Sequence, residues 1–379
     1  MVTVDVVECP EKIDALRVVW NQIVHASYRP DLLLTHEWFS LSLREFCQGT
    51  SPRILLAREG DQVLGIAPFM IQRFVRWGMP IRKLTFLHPG NTYDRGDFLI
   101  RERHEEVLKA LLEHLDLMRS EWDSATWAGI AEDSPNLLLL PKVTQACRLS
   151  ISTPQPFGQA LVLPICGSWE DYLKERGRHF RKHLNNPEAR LKELGPLQWL
   201  TVREPEAVRA GLEELYRIQF ANREANGESV PESDQRSRRA ALFLSDLFSP
   251  HGRAEVKLLR LNGRTIAGLF SVVHQGCLYA LVIKFDHEFA RQSVGRLALH
   301  YAVRDAWEEK IERIDFLMRW PYVERWTEKV TRYWKFDCFH RGAFSQGIRF
   351  ARRYLVPASR EENLTRPCKG KEDPRGVPD

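Results

Sequence analysis

No apolar run in this chain of 379 residues approaches the roughly 18 residues that a membrane-crossing helix needs, and the longest are pieces such as Leu137–Leu140. No membrane span is therefore expected. The first residues, Met-Val-Thr-Val-Asp-Val-Val-Glu-Cys-Pro-Glu-Lys, lack a basic start followed by an apolar core, which argues against a secretory signal and for a cytoplasmic protein. The seven cysteines, at 9, 47, 147, 166, 277, 338 and 368, are odd in number, scattered and never paired as Cys-x-x-Cys. They read as reduced, mostly buried small hydrophobes and not as a disulfide or zinc framework. Also missing are a Gly-x-Ser-x-Gly elbow and a Walker loop. His179 and His183 lie one helical turn apart but have no acidic third ligand, so no metal is expected. The net charge of +5 reads as spread along the chain, which suits a small anionic ligand better than duplex DNA.

What is present is an ordinary globular composition, 44% hydrophobic and 28% charged, at a length that favours two domains. Two segments about two hundred residues apart follow one pattern. Ile54–Phe69 reads as a β-hairpin turning at Gly60-Asp61, and Val256–Phe270 as one turning at Asn262-Gly263, where both turn residues tolerate positive φ. With Arg58 laid on Arg260, Gly65 falls on Ala267. Each hairpin is preceded by a helical run, Leu34–Cys47 or Val208–Asn226. Each is followed by a helix and a short strand: Glu102–Arg119 then Ser124–Ala128, and Gly295–Lys310 then Ile311–Met318. The pattern predicts an α/β protein of two tandem copies of one unit, each a twisted mixed sheet flanked by helices. The expected boundaries are 1–150 for the first unit, 151–166 for a linker with edge-strand pieces, 167–350 for the second unit and 351–379 for a loosely ordered tail. The proline-dotted stretch from Pro135 to Pro164 reads as connection, and Ser168-Trp-Glu-Asp171 as a capping box opening a helix.

Chemistry concentrates between Cys277 and Trp326, which reads as strand, loop, helix, strand. The loop supplies Arg291, Gln292, Ser293, Val294, Gly295 and Arg296 at a helix N-terminus, where free amides favour an anion such as the phosphates of a cofactor. The bland alternative is that Ser293 merely caps a helix. Asp286 at a strand end and Tyr322 beyond the last strand are the candidate acid–base groups. Asp315 is either a substrate contact or a carboxylate paired with a neighbouring arginine, and Tyr322 either a proton donor or a packed aromatic between Trp320 and Trp326. The helix from Trp169 to Leu194 carries Arg178 and Arg181 among seven basic residues, either a wall for an anionic substrate or a solvated face. Trp320, Trp326, Tyr333, Trp334, Phe336 and Phe339 either line an acceptor pocket or form a half-buried final strand.

Gln292-Ser-Val-Gly295-Arg-Leu297 resembles the first half of the Gln/Arg-x-x-Gly-x-Gly/Ala pyrophosphate segment of the GNAT acetyltransferase superfamily. Ser293-Val294-Gly295, Asp315-Phe316 and Tyr322-Val323-Glu324-Arg325-Trp326 are similar to the corresponding runs of the CelD/BcsL-type acetyltransferase family, which is related to the Fem-type peptidyltransferases. This sequence departs from that family at Val294, where the family has proline, at Val323, where it has lysine, and at Leu297, where a small residue is usual. The resemblance implies tandem GNAT-like units over most of residues 30–345. It implies an acyltransferase that moves an acyl group, typically acetyl, from acyl-CoA as co-substrate to an amine or hydroxyl by direct attack. The loop 291–296 would then hold the cofactor in the second copy only, Tyr322 would protonate the thiolate, and Asp315, Arg325, Trp326, Arg178 and Arg181 would meet the substrate. A small-molecule or saccharide acceptor from polysaccharide or cell-envelope precursor metabolism is implied. The alternatives are a Fem-type transferase using aminoacyl-tRNA, which would bring in nucleic acid, and a catalytically silent scaffold.

Overall fold

The computed structural model describes residues 1–76, 78–87 and 94–355. The chain divides into two compact units, Met1–Gly158 with Arg332 onward, and Gln159–Thr331. The first contains β1 (Thr3–Val7), α1 (Pro10–Asp14), α2 (Arg17–Ala26), α3 (His36–Leu41), β2 (Ser51–Glu59), β3 (Gln62–Arg76), β4 (Met79–Phe86), β5 (Leu99–Ile100), α4 (His104–Leu117), β6 (Ser124–Ala131), α5 (Pro135–Ala146) and β7 (Leu149–Ile151). The second contains β8 (Gln155–Pro164), α6 (Trp169–Glu175), α7 (Gly177–Leu194), β9 (Leu197–Val202), α8 (Pro205–Ala225), α9 (Glu232–Phe248), β10 (Ala254–Leu261), β11 (Arg264–His274), β12 (Cys277–Phe285), α10 (Val294–Glu308), β13 (Arg313–Asp315) and α11 (Pro321–Glu324). β14 (Val330–His340) and α12 (Ala343–Leu355) then return to the first unit.

Both sheets follow one plan. The first runs β1-β2-β3-β4-β6-β14 and the second β9-β10-β11-β12-β13-β8. All pairings are antiparallel except β4 with β6 and β12 with β13. The predicted hairpins form, and each carries a β-bulge at the same place: Ala57/Arg58 in one, Leu259/Arg260 in the other. Arg58 and Arg260 are the residues that the repeat superimposes, so the shared irregularity is a structural sign of the repeat. The crossovers correspond as well, α4 joining β4 to β6 and α10 joining β12 to β13. Val107, Leu108, Leu111, Leu112 and Leu115 form the buried stripe of α4, the 3.6-residue spacing of a helix laid on a sheet.

The expected boundaries change. The last strand belongs mostly to the first unit, where Tyr333–Cys338 pairs with Ala131–Ala125 on β6, across more than two hundred residues of chain. In the second unit β13 pairs with β8, which had read as linker with edge-strand pieces. Pro135–Ala146, also read as connection, is a helix: Ser134 caps it by accepting from Asn136 N (3.1 Å), and Pro135 stands at the first turn, where no amide hydrogen is needed. Ser168 accepts from Asp171 N at 3.1 Å, as the capping box predicted. Residues 351–355 complete α12, and the tail from 356 lies outside the described residues.

The second unit has one costly core feature. Lys257 of β10 is wholly buried, its Nζ 2.8 Å from Glu309, 3.2 Å from Asp305 and 3.3 Å from Glu255. Trp199 Nε1 donates to Asp305 at 2.7 Å, and Arg203 bridges Glu255 and Glu309. A buried charge is tolerable only when paired in this way. Lys257→Ala leaves carboxylates facing one another in the core and should cost about 3–5 kcal/mol, read as a lower urea midpoint at unchanged slope.

Candidate functional site

β12 and β13 pair over only three residues, Cys277–Tyr279 against Arg313–Asp315. β12 then continues to Phe285, while the other chain turns away. The turn is built by Asp315, whose Oδ1 accepts from Leu317 N at 2.7 Å with Leu317 at φ 64°, and Phe316–Met318 stays with β8 at Leu161. A bulge between Val282 and Ala280 adds twist at the same level. From Ala280 to Phe285, β12 therefore has backbone groups on this side with no β13 partner, an edge that an extended ligand bearing amides can join. Asp315 thus holds the turn through its Oδ1.

β12 leads to α10 through a 3₁₀ turn, His287–Gln292. Asp286 caps this turn: Oδ1 accepts from Glu288 N at 3.0 Å and Oδ2 is bound by Arg264, which also pairs with Glu288 at 3.0 Å. Asp286, expected as a catalytic group, thus has each of its oxygens engaged in holding the loop. Ser293 takes left-handed backbone angles (φ 55°, ψ 40°), which separates the turn from α10, and its Oγ accepts from Arg296 Nη2 at 2.9 Å without capping the helix. The first amides of α10 therefore lack a side-chain cap. Val294, where the resembled family has proline, is a core anchor packed with Leu297 and Tyr301. At Gly295 a Cβ would lie 2.9 Å from the Phe285 ring, so this glycine lets strand and helix ends close together.

Arg291 is exposed and Gln292 carries a buried Oε1 with no hydrogen-bond partner. Burial and the nearby Arg325 lower the pKa of Arg296. Arg325, just past α11, is exposed and has no carboxylate within ion-pair distance among the described residues. One turn before it stands Tyr322, 43% exposed, stacked on Trp320 with centroids 6.0 Å apart and its hydroxyl pushed up to about 12 by burial. α7 packs against both α10 and the 3₁₀ turn, and Arg178 and Arg181 lie exposed on it. The structure thus gathers Arg291, Gln292, Ser293, Arg296 and Arg325 around one helix start, with Tyr322 on the flanking turn. Trp326, expected at the substrate, has its ring wholly buried edge-on to Phe180, and its carbonyl accepts from Tyr172 and Arg176 at 2.6 Å each. Tyr333, Phe336 and Phe339 are likewise buried along β14. The side chains of His179 and His183 lie outside the described set, and no metal-ligand cluster exists among the described residues.

The equivalent region of the first unit is filled by its own chain. Phe98 packs edge-on against Phe69, Phe86 and Trp127, and Gly96 N reaches Gly129 O (3.3 Å) beside β6. Gly129 has φ 89°, and a Cβ there would strike Asp94 O at 2.7 Å. Of the first copy's counterpart to the cofactor loop, expected around Asn91–Asp97, residues 91–93 lie outside the described residues.

Sequence reasoning missed Lys284. It stands near the end of β12, its Nζ 5.3 Å from the centroid of the Tyr216 ring on α8, with no carboxylate within ion-pair distance among the described residues; burial brings its pKa down to about 8. Tyr216, Gln219 and Asn222 follow at helical spacing along that face. Asn222 binds Phe285 O (2.8 Å) and His287 N (3.0 Å), which places Gln219 beside Lys284, and the Gln219 Oε1 is buried without a partner. An odd cation in an apolar strand end was the available signal.

Residues 178–326 match the family model described as an acetyltransferase (GNAT) domain. The fold is α/β, with two units of like strand order flanked by helices, and the matched domain lies in the second. FemX is similar in structure at 12% identity, covering 88% of this chain and 96% of that one with a TM-score of 0.57. A conserved protein of unknown function from Bacteroides thetaiotaomicron is similar at 14% identity, 86% and 97% coverage and a TM-score of 0.51. L-PGS from Bacillus licheniformis is similar at 13% identity, 92% and 97% coverage and a TM-score of 0.50. At these identities the likeness is one of fold. No curated protein sequence matches.

His300 of α10 lies against Trp169 and Trp326 at centroid distances of 5.8 and 6.3 Å, and burial, then Arg304, takes its pKa down to about 4. The folded ring stays neutral while the unfolded ring charges below its ordinary 6.5. Its contribution is therefore complete above pH 6.5 and is lost as pH falls toward 4, amounting to about 2–3 kcal/mol by pH 4.5. Urea midpoints at pH 7 and 4.5 should show wild type losing that much more than His300→Phe.

Proposed function

We propose that the second unit transfers an acyl group from acyl-CoA to an amine or hydroxyl acceptor by direct attack. The observation that carries this reading is the open edge of β12 ending at an uncapped helix start ringed by arginines. The residues fit the group in two respects. The α10 amides with Arg291, Arg296 and Arg325 offer donors and positive charge to phosphates. The orphaned Gln292 Oε1 needs a donor, which the amides of a pantetheine chain have and a bare pyrophosphate lacks. When bound, acyl-CoA supplies the activated thioester.

In the proposed step the acceptor nitrogen or oxygen bonds to the thioester carbonyl carbon, the C–S bond breaks, and the sulfur takes a proton from the Tyr322 hydroxyl. The acceptor's proton leaves to solvent or to a neighbouring base. Lys284, beside β12, is inferred as that base or as an anchor for an anionic acceptor group, with Gln219 accepting a hydrogen bond from the same molecule. Asp286 is left out because the loop consumes both its oxygens. A saccharide or envelope-precursor acceptor suits the aromatic pair Trp320–Tyr322, since sugar rings stack well on such faces. Exposed Arg178 and Arg181 keep aminoacyl-tRNA as a second donor reading, and a thermal-shift comparison of acyl-CoA with charged tRNA separates the two.

Gly295→Glu should abolish acyl-CoA binding by calorimetry. Because the new side chain also meets Phe285, Gly295→Glu/Phe285→Ala is the control: affinity that stays lost reports charge at the helix amides, whereas recovered affinity reports only the ring collision and sinks the phosphate site. Tyr322→Phe keeps the stack on Trp320 and should lower turnover roughly ten- to ten-thousand-fold with acyl-CoA affinity near wild type. Unchanged turnover assigns Tyr322 to packing alone.

A further inference from the structure

We propose that the first unit docks on an anionic membrane surface through the β3–β4 tongue and the adjoining face of α12. β2 ends its pairing at Ser51 opposite Ile71, and β6 joins β4 only from Lys83. Between these limits the hairpin continues as a two-stranded tongue, with Phe74 opposite Ile81, Val75 opposite Pro80 and Arg76 opposite Met79. Two strands beyond a sheet are marginal in water unless something covers them. Phe74, Val75 and Met79 are 39–73% exposed at its end. A polar tip is the usual solution for a hairpin in solvent, so apolar residues here call for an apolar neighbour.

The tongue and α12 form one surface. Ile81 packs with Phe339 and Ile348, and the start of α12 is pinned by His340, which accepts from Gly342 N (3.0 Å) and meets Trp122 O (2.9 Å). Ser345 and Ile348 face inward, whereas Phe344 and Phe350 are 42% and 59% exposed. The helix therefore presents more apolar face than the unit covers. The segment that follows it in the chain, 356–379, has only Val356, Ala358, Leu364 and Val377 as aliphatic side chains and makes a poor cover.

Charge selects the occupant. Residues 72–83 hold four basic residues and no acidic one, and residues 341–355 again four and none. Of the chain's 55 Lys and Arg against 50 Asp and Glu, removing these eight leaves 47 against 50. The eight positive charges of these two segments exceed the net charge of +5 of the whole chain. Arg82 is tied to Asp123 at 2.6 Å, while Arg73, Arg341 and Arg349 are exposed. Apolar tips flanked by arginines fit insertion into the interface of an anionic bilayer, with the protein lying on the membrane and not crossing it. No helix among the described residues is long and apolar enough to cross one.

The test is sedimentation of the full chain with vesicles of phosphatidylcholine alone and of phosphatidylcholine with phosphatidylglycerol. Wild type should pellet with the anionic vesicles at least tenfold more than with the neutral ones, and less as salt rises. Phe74→Ser/Val75→Ser/Met79→Ser and Arg341→Glu/Arg349→Glu, all at exposed positions, should each lower binding at least tenfold with an unchanged melting temperature. If the triple variant melts early, the arginine pair carries the test. Absence of wild-type pelleting overturns the proposal, as does equal binding to neutral vesicles or binding that both variants leave intact. Concentration-dependent self-association abolished by the same substitutions, without vesicle binding, would assign the face to a second copy of the chain and overturn it too. Acyl-CoA affinity belongs to the other unit and should not change in either variant.

Discussion

Three residue pairs decide the character of the second unit: β12 and β13 hold each other from Cys277 to Tyr279 and no further. Had the pairing run two residues on, those backbone groups of β12 would be satisfied within the protein and the edge would be shorter. Buried amides and carbonyls demand partners, so a strand that outlasts its neighbour keeps a binding requirement in its backbone. The parting is enforced from the opposite side, because β8 keeps Phe316–Met318 while the Asp315 carboxylate turns that chain at Leu317. Lys284, Phe285, Asp286 and the start of α10 all stand where they do because β12 continues alone.

The first unit repeats the strand order without that requirement. Its β4 ends at Phe86, directly after pairing with β6, and the chain returns to lay Gly96 and Phe98 beside β6. Phe69, Phe86, Phe98 and Trp127 then close the space with stacked and edge-on rings. The same topology thus gives a filled core in one copy and an open strand edge in the other. A buried polar group beside this plug, Asp97, is satisfied by Tyr28, Ser134 and Asn136, so its carboxylate is spent on structure even though burial raises its pKa.

Local signals made the repeat legible. Asn-Gly and Gly-Asp turns, the helix periods and the Arg58/Arg260 alignment all depend on neighbours in sequence, and each appears in the fold. Partners far along the chain were not legible. Nothing in Tyr333–Phe339 states that its ladder is β6, and a half-buried alternation suits either sheet. The stretch from Pro135 read as connection because proline usually interrupts helices, yet the first turn accepts one at Pro135, and Pro141 stands inside the same helix. In the candidate site, residue type pointed to the loop before α10 and left the roles within it open. A carboxylate at a strand end looks the same whether it meets substrate or caps a turn, and only the position of Glu288 N and Arg264 settles Asp286 as a cap. Lys284 was hidden for the reverse reason, since an unpaired cation is recognisable only once the carboxylates are known to be elsewhere.

That last point gives the site its electrostatic logic. Across the protein, arginines are commonly tied to carboxylates, as Arg17, Arg53, Arg103, Arg238 and Arg260 are. Around the start of α10 this pairing is missing among the described residues: Arg296 donates to Ser293 Oγ, and Arg325 stands close enough to lower its pKa. Like charges held together this way raise the energy of the empty site, modestly because water reaches both. An anion placed between them removes the repulsion and gains two charge-assisted partners, so its binding includes relief of a cost that the fold already carries. Salt acts on the same balance, since at about 0.15 M a charge is screened beyond roughly 8 Å. Arginines within that distance of an anion would keep most of their pull, and those farther away would act mainly by drawing it in.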